Sequence, residues 1–367
     1  MCKEGIFYAY QMKTFQNLKV IELSSVLAGP LVGTFFAELG AEVIKVENRV
    51  TGGDVTRQWK LPGENPTSPV SAYYAAANFG KKSVYKNLKN QEDYLDVREW
   101  IARADIVLLN FKPGDAQKLQ LDFATLSRLN PSLIYGEIIG FADEDSRVAY
   151  DVVLQAETGY MAMNGKADSP PLKMPLAMID ILAAHQLKEG ILCALLERSK
   201  DGKGRKVSVS LYEAGVTALA NQASNWLMNG HIPQRIGSLH PNIAPYGETF
   251  ICADGKWLVL AVGSDRQFEK LCQALGLSEL IAESRFETNA GRVQYRTALT
   301  GYLKEAFLKK SSAEWTELLL KNQVPFGHIK DMKEVFEEDQ ANQMILEEDM
   351  EGFPTKRVKT VAFKITG

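Results

Sequence analysis

The stretch K-V-I-E-L-S-S-V-L-A-G-P-L-V-G-T-F-F-A-E-L-G-A-E-V-I-K-V, from Lys19 to Val46, decides the fold. Lys19–Leu23 is a short run of β-branched and aliphatic residues, which predicts a strand. Pro30 suits the first turn of a helix, where its missing N–H has no partner to lose. Leu31, Phe35, Phe36 and Leu39 give that helix an apolar stripe, and Gly40 ends it. Val43–Val46 predicts the next strand, completing a βαβ unit. The pattern repeats with a helix over Asp93–Ala102, a strand at Asp105–Leu109, a helix near Phe123–Leu129 and a strand at Leu133–Ile138. Such alternation argues a Rossmann-like α/β fold, a parallel sheet covered on both faces.

Further along, Ile181, Ala184, Leu187, Ile191, Leu195 and Leu196 mark one side of a long helix. Gly202-Lys203-Gly204 is a turn, Val207–Leu211 a strand, and Tyr212–Leu227 a helix. The Pro/Gly-bearing connection Gly230–Gly247 is the expected domain crossing. Beyond it a strand at Lys256–Val262 precedes amphipathic helices at Asp265–Leu275, Arg296–Leu308 and Ser312–Lys321. Val324–Gly327 is expected to return to the first domain. The organisation expected is a large domain of residues 1–229 plus 324–367 and a smaller α+β domain of residues 230–323.

A chain of 367 residues, 46% apolar and 24% charged, is long enough for two such domains. A net charge of −3 offers no electrostatic case for nucleic acid or an anionic membrane surface. The longest apolar runs are far too short to span a bilayer. Cys2, Cys193, Cys252 and Cys272 form no C-x-x-C pair, and Cys193 falls on a helical apolar stripe, as a buried thiol would. His185, His231, His240 and His328 lack metal-ligand spacing, so no metal is expected. A reducing cytoplasm fits that cysteine usage. Residues 1–11 lack the pattern of a signal peptide and read as an upstream extension or loose arm before Met12.

Gly29 and Gly33 after a first strand, with Glu47 closing the second, invite a dinucleotide-binding reading. The fingerprint requires G-x-G-x-x-G, and the glycines needed are missing. A loop at a sheet's carboxyl edge can still hold a nucleotide-like ligand. Two more glycine-bearing loops carry cations, Gly52–Arg57 and Asn78–Ser83, and Asn110-Phe111-Lys112-Pro113-Gly114 follows a strand directly. Each alone reads as a solvated turn; together their cations suit phosphates. The most informative run is A-Y-D-V-V-L-Q-A-E-T-G, Ala149 to Gly159, followed by Leu176-Ala177-Met178-Ile179-Asp180. An aspartate where a helix begins fits two roles. It can cap the helix, although Ala183 leaves no capping box, or serve as a nucleophilic carboxylate at a terminus that stabilises anions.

These segments, with Gly202–Ala214 and Gly237–Tyr246, resemble the class III CoA-transferase family, in order and over almost the whole chain. Formyl-CoA:oxalate and carnitine CoA-transferases belong to it, and the 2-methylacyl-CoA racemases share its fold. The resemblance implies an interlocked homodimer, a coenzyme A thioester substrate and a small carboxylic acid acceptor. It implies cofactor contacts from Val26, Leu27, Arg57, Lys81, Asn110, Phe111 and Lys112. It makes Asp180 the nucleophile, attacking the thioester carbonyl, with Tyr150 and Gln155 as donors to the developing oxyanion. The racemase branch needs a histidine where this chain has Tyr150, and tyrosine, with an ordinary pKa of about 10, cannot readily take a proton near neutral pH. No histidine occurs before His185, so the transferase reading is preferred. His240 is read as a hydrogen-bonding side chain. The chain lacks the four-glycine run of oxalate-specific relatives, carries an acidic segment at Gly140–Arg147, and ends without a terminal element common in the family.

Overall fold

A computed structural model describes residues 13–141, 145 and 147–366. The upstream arm, Cys2 and most of the acidic segment after Phe141 lie outside the described residues. Two compact units are present: residues 1–160, 173–232 and 343–367 form the larger, and 161–172 with 233–342 the smaller.

The larger unit is built on six parallel strands: β1 Lys19–Glu22, β2 Glu42–Asn48, β3 Lys82–Lys86, β4 Ile106–Leu109, β5 Ile134–Ile139 and β6 Arg205–Ser210. Their order is β3-β2-β1-β4-β5-β6. Each strand sends alternate residues to opposite faces, and both faces are apolar, as a sheet buried on two sides requires. Val20, Ile106 and Ile134 pack with helix α1 (Ala28–Glu38). Ile21, Val107 and Tyr135 turn the other way, towards Val97 and Ile101 of a helix over Gln91–Ala102 and Leu126 of one over Phe123–Leu129.

Three more helices position the site, α2 Ala72–Asn78, α3 Asp151–Glu157 and α4 Met178–Asp201, and α5 Asn221–Asn229 belongs to the same unit. In α4 the buried stripe is Ile179, Ala183, Ala184, Leu187, Ile191 and Ala194. Cys193 lies one position off that stripe and is exposed, and Leu196 is exposed too, contrary to the sequence expectation. The single helix expected over Tyr212–Leu227 is interrupted: one helix covers Leu211–Thr217, and α5 starts after Ala220, whose φ of 48° no α-helix contains.

The smaller unit has an antiparallel sheet of β7 Tyr246–Ile251, β8 Trp257–Ala261 and β9 Phe326–His328, in that order. Its core gathers Phe250, Leu258, Phe268, Leu303, Phe307 and Trp315. The strand around Val324–Gly327 therefore stays in this unit, pairing Leu260 with Phe326 and Leu258 with His328. The chain rejoins the larger unit at Gln343, where a hairpin of β10 Ile345–Met350 and β11 Phe353–Val358 begins. Among the described residues, no helix is long and apolar enough to cross a membrane.

Candidate active site

Asp180 is the third residue of α4 and caps nothing: the N-cap is Ala177, with no side-chain capping bond. The carboxylate that serves this terminus comes from Asp151, the first residue of α3. Asp151 Oδ1 accepts the N–H of Ile179 at 2.7 Å and that of Asp180 at 3.4 Å. Its Oδ2 accepts Gln155 Nε2 at 2.6 Å. The terminus thus stabilises an anion, as expected of free helix amides, but the anion is Asp151.

No hydrogen bond or ion pair from the described residues reaches the carboxylate of Asp180. Burial first, then the charge of Asp151, push its pKa up to about 7. Stabilisation of this aspartate by its helix terminus is therefore corrected: the site keeps Asp180 basic.

Gln155 is fully buried. Its Nε2 also donates to Leu176 O at 3.2 Å, and its Oε1 accepts the Met174 N–H at 2.7 Å. Both ends of the amide are spent on holding Asp151 and the chain that enters α4, so a donor role to substrate gives way to a structural one. Tyr150 is 58% exposed with its hydroxyl unengaged by described residues. Tyr73 of α2, overlooked in the sequence, is half-buried and stacks edge-on with Trp59 at 5.0 Å. Burial and the nearby charges of Asp180, Asp151 and Asp54 raise its pKa, so it stays a phenol and a donor.

Asp54 also connects to a second feature. At the carboxyl ends of β1, β2 and β4 lies a cleft of about 1410 Å³, lined by Ser24, Ser25, Asn48, Asp54, Asn110, Phe111 and Lys112 among others. The strand order reverses between β1 and β4, the place where open α/β sheets bind ligands. Asn110 holds the loop after β1 by two bonds, accepting Ser25 N–H at 3.0 Å and donating to Ser25 O at 2.8 Å. Asp54 accepts the N–H of Val26, which sits at φ 72°, a conformation costly for a β-branched residue. Glycine would relieve that strain in a dinucleotide fingerprint; here part-buried hydrogen bonds to Asp54 and Asn110 hold the turn. Gly33 has a different reason: a Cβ there would lie 1.8 Å from Glu22 Oε2.

Two of the cations expected at the cofactor are instead inside the protein. Arg57 is 2% exposed and grips Glu47 through Nε at 2.8 Å and Nη2 at 2.6 Å, with Tyr74, Pro69 O and Glu351 taking its remaining donors. Lys81 has no exposed side-chain surface and pairs with Glu22 at 2.8 Å. Its Nζ also donates to Pro30 O and Ala77 O. Neither can turn to a phosphate without abandoning a buried carboxylate, which corrects their assignment. Lys112 does line the cleft, as does Lys89, and neither side chain is paired by described residues. Among the described residues, no group of three His, Cys, Asp or Glu could hold a metal ion.

The pattern of CoA-transferase family III matches residues 15–366. The succinate–glutarate CoA-transferase of Agrobacterium fabrum is 38% identical over 344 residues, 91% of this chain and 84% of that protein. The human succinyl-CoA:glutarate CoA-transferase is 33% identical over 341 residues, 92% of this chain and 76% of that protein. A crystal structure of a CaiB/BaiF family protein from Brucella suis superposes with a TM-score of 0.83 at 37% identity, covering 96% of this chain and 93% of that one. Sheet order and cleft define a doubly wound α/β fold with a ligand-sized cleft at its switch point. The chain belongs to CoA-transferase family III.

Proposed function

We propose that this enzyme moves CoA from an acyl-CoA to a free dicarboxylic acid through a covalent intermediate on Asp180. The observation that carries the reading is the half-buried, unpartnered Asp180 carboxylate with its pKa raised to about 7. A carboxylate that donors had satisfied would be a weaker nucleophile. Succinate and glutarate, named in the two relatives, supply the substrate class.

Asp180 attacks the thioester carbonyl; the C–S bond breaks and CoA leaves as thiolate, giving a mixed anhydride. The thiolate then attacks the aspartyl carbonyl and expels the donor acid, leaving an aspartyl-CoA thioester. The acceptor carboxylate repeats the two steps in reverse, so no net proton is needed. Tyr150 and Tyr73 donate to the oxyanions. The coenzyme's phosphates and nucleotide occupy the cleft, met by Lys89 and Lys112, with Asn110 and Phe111 shaping its wall; Val26 and Leu27 follow directly on Ser24 and Ser25, which line it. Tyr73, within electrostatic reach of both Asp54 and Asp180, relates that cleft to the nucleophile. The enzyme acts as a homodimer.

Asp180→Asn tests the reading. It should abolish succinyl-CoA:glutarate exchange while CoA still protects the protein in a thermal melt. Near-normal exchange would remove Asp180 as nucleophile.

A further inference from the structure

Asp151 is part-buried, with both carboxylate oxygens engaged at the start of α4. Helix α4 offers free amides at its first turn, and both Ile179 and Asp180 direct theirs at one Asp151 oxygen. The other oxygen is fixed by Gln155, itself anchored at Met174 and Leu176 on the chain leading into α4. Every contact that would quench an aspartate is thus given to Asp151.

We propose that Asp151 is a positioning residue for the transfer reaction, a sacrificial anion that occupies the α4 amides and so leaves the neighbouring Asp180 carboxylate unbonded and nucleophilic. Were those amides free, the Asp180 side chain could fold back on them, as first-turn aspartates do, and lose basicity. The charge of Asp151 acts in the same direction, opposing ionisation of Asp180. Among the described residues, Asp151 on α3 acts electrostatically on Asp180, and Asp180 in turn on the Tyr73 hydroxyl of α2. The inference rests on the reading of Asp180 as nucleophile, and adds what makes it one.

The test is hydroxylamine trapping on the full-length enzyme given succinyl-CoA. Hydroxylamine displaces CoA from an aspartyl thioester, leaving a hydroxamate on Asp180 that peptide mass spectrometry reads. The trapping rate is followed from pH 5 to 8.5. In Asp151→Asn the acid limb should move down by on the order of one pH unit, and the alkaline plateau should fall, because a less basic carboxylate is less nucleophilic. Asp151→Ala, which removes the charge and also frees the Ile179 and Asp180 amides, must move the limb at least as far, and Asp151→Ser, whose hydroxyl can cap the same amides without charge, must show the charge part of the displacement should the Asn variant fold poorly. Asp151→Glu keeps the charge and should keep the wild-type limb. Variants slower at every pH with the limb unmoved would overturn the inference, since a purely structural Asp151 predicts that. No adduct at Asp180 in the wild type would instead sink the nucleophile itself.

Discussion

Asp180 and Arg57 show how a charged residue's role depends on what has already claimed its partners. Asp180 has an ionised form that is poorly accommodated, and the sign of its pH dependence follows. Its folded pKa is raised to about 7 from 3.8, so the folded state holds a proton the unfolded state has lost, and stability from this group falls as pH rises between those values. Asp180→Asn removes the buried charge; the midpoint of thermal unfolding should rise at pH 8 and change little at pH 4. A lower midpoint at pH 8 would contradict the electrostatic picture. Arg57 is the reverse case. Its fork holds Glu47 down to about 2, a contribution present above pH 4.5 and lost only as pH falls towards 2. Arg57→Ala strands Glu47 in the interior and should cost about 3–5 kcal/mol in urea unfolding at pH 7. A phosphate-binding Arg57 would instead raise KM for acyl-CoA at unchanged stability. The sequence held a sign of this: Glu22, Lys45 and Glu47 interrupt otherwise apolar strands, and such charges need internal partners. The seat of Asp151 was not readable, because a carboxylate bonding amides 28 and 29 residues away depends on where α3 docks.

At the scale of elements, strands rich in Val, Ile and Leu declared themselves, because a sheet covered on both faces leaves them little else to be. Edge strand β3, K-S-V-Y-K, is half-exposed and polar enough to read as a loop. The terminal hairpin escaped for the same reason: I-L-E-E-D-M and F-P-T-K-R-V present too little apolar surface to mark themselves. Polar contacts hold it. Glu38 on α1 accepts Arg357, the Thr360 N–H and hydroxyl, and the Val361 N–H. Glu348 accepts the Gly80 N–H at 3.0 Å. Because Arg357 and Glu38 are almost wholly buried, Glu38→Ala leaves an unpaired interior cation. Hydrogen exchange in residues 345–361 should accelerate at least tenfold, while β7 to β9 keep their protection. Equal exchange in both segments would mean that Glu38 does not fasten the hairpin.

For the whole molecule, the two-unit organisation was foreshadowed by the Pro/Gly-bearing connection after Gly230. The later crossing was misjudged because Val324–Gly327 looks like any short strand, and only pairing with β8 gives it to the smaller unit. What a single chain leaves unexplained is α5. This helix of 9 residues has no buried residue, and Trp226, Leu227 and Met228 are 53%, 79% and 81% exposed. A helix shorter than about 12 residues is marginal in water without packing, and here three large apolar side chains face solvent. In the homodimer proposed above, a second copy of the chain would supply the missing cover. Light scattering at micromolar concentration should give twice the chain mass. Leu227→Asp with Met228→Asp should halve it and lower the unfolding midpoint, because α5 then loses the packing that sustains it. A wild-type monomer would remove the dimer from the proposed function, and a paired-Asp variant that stays dimeric would place the interface elsewhere.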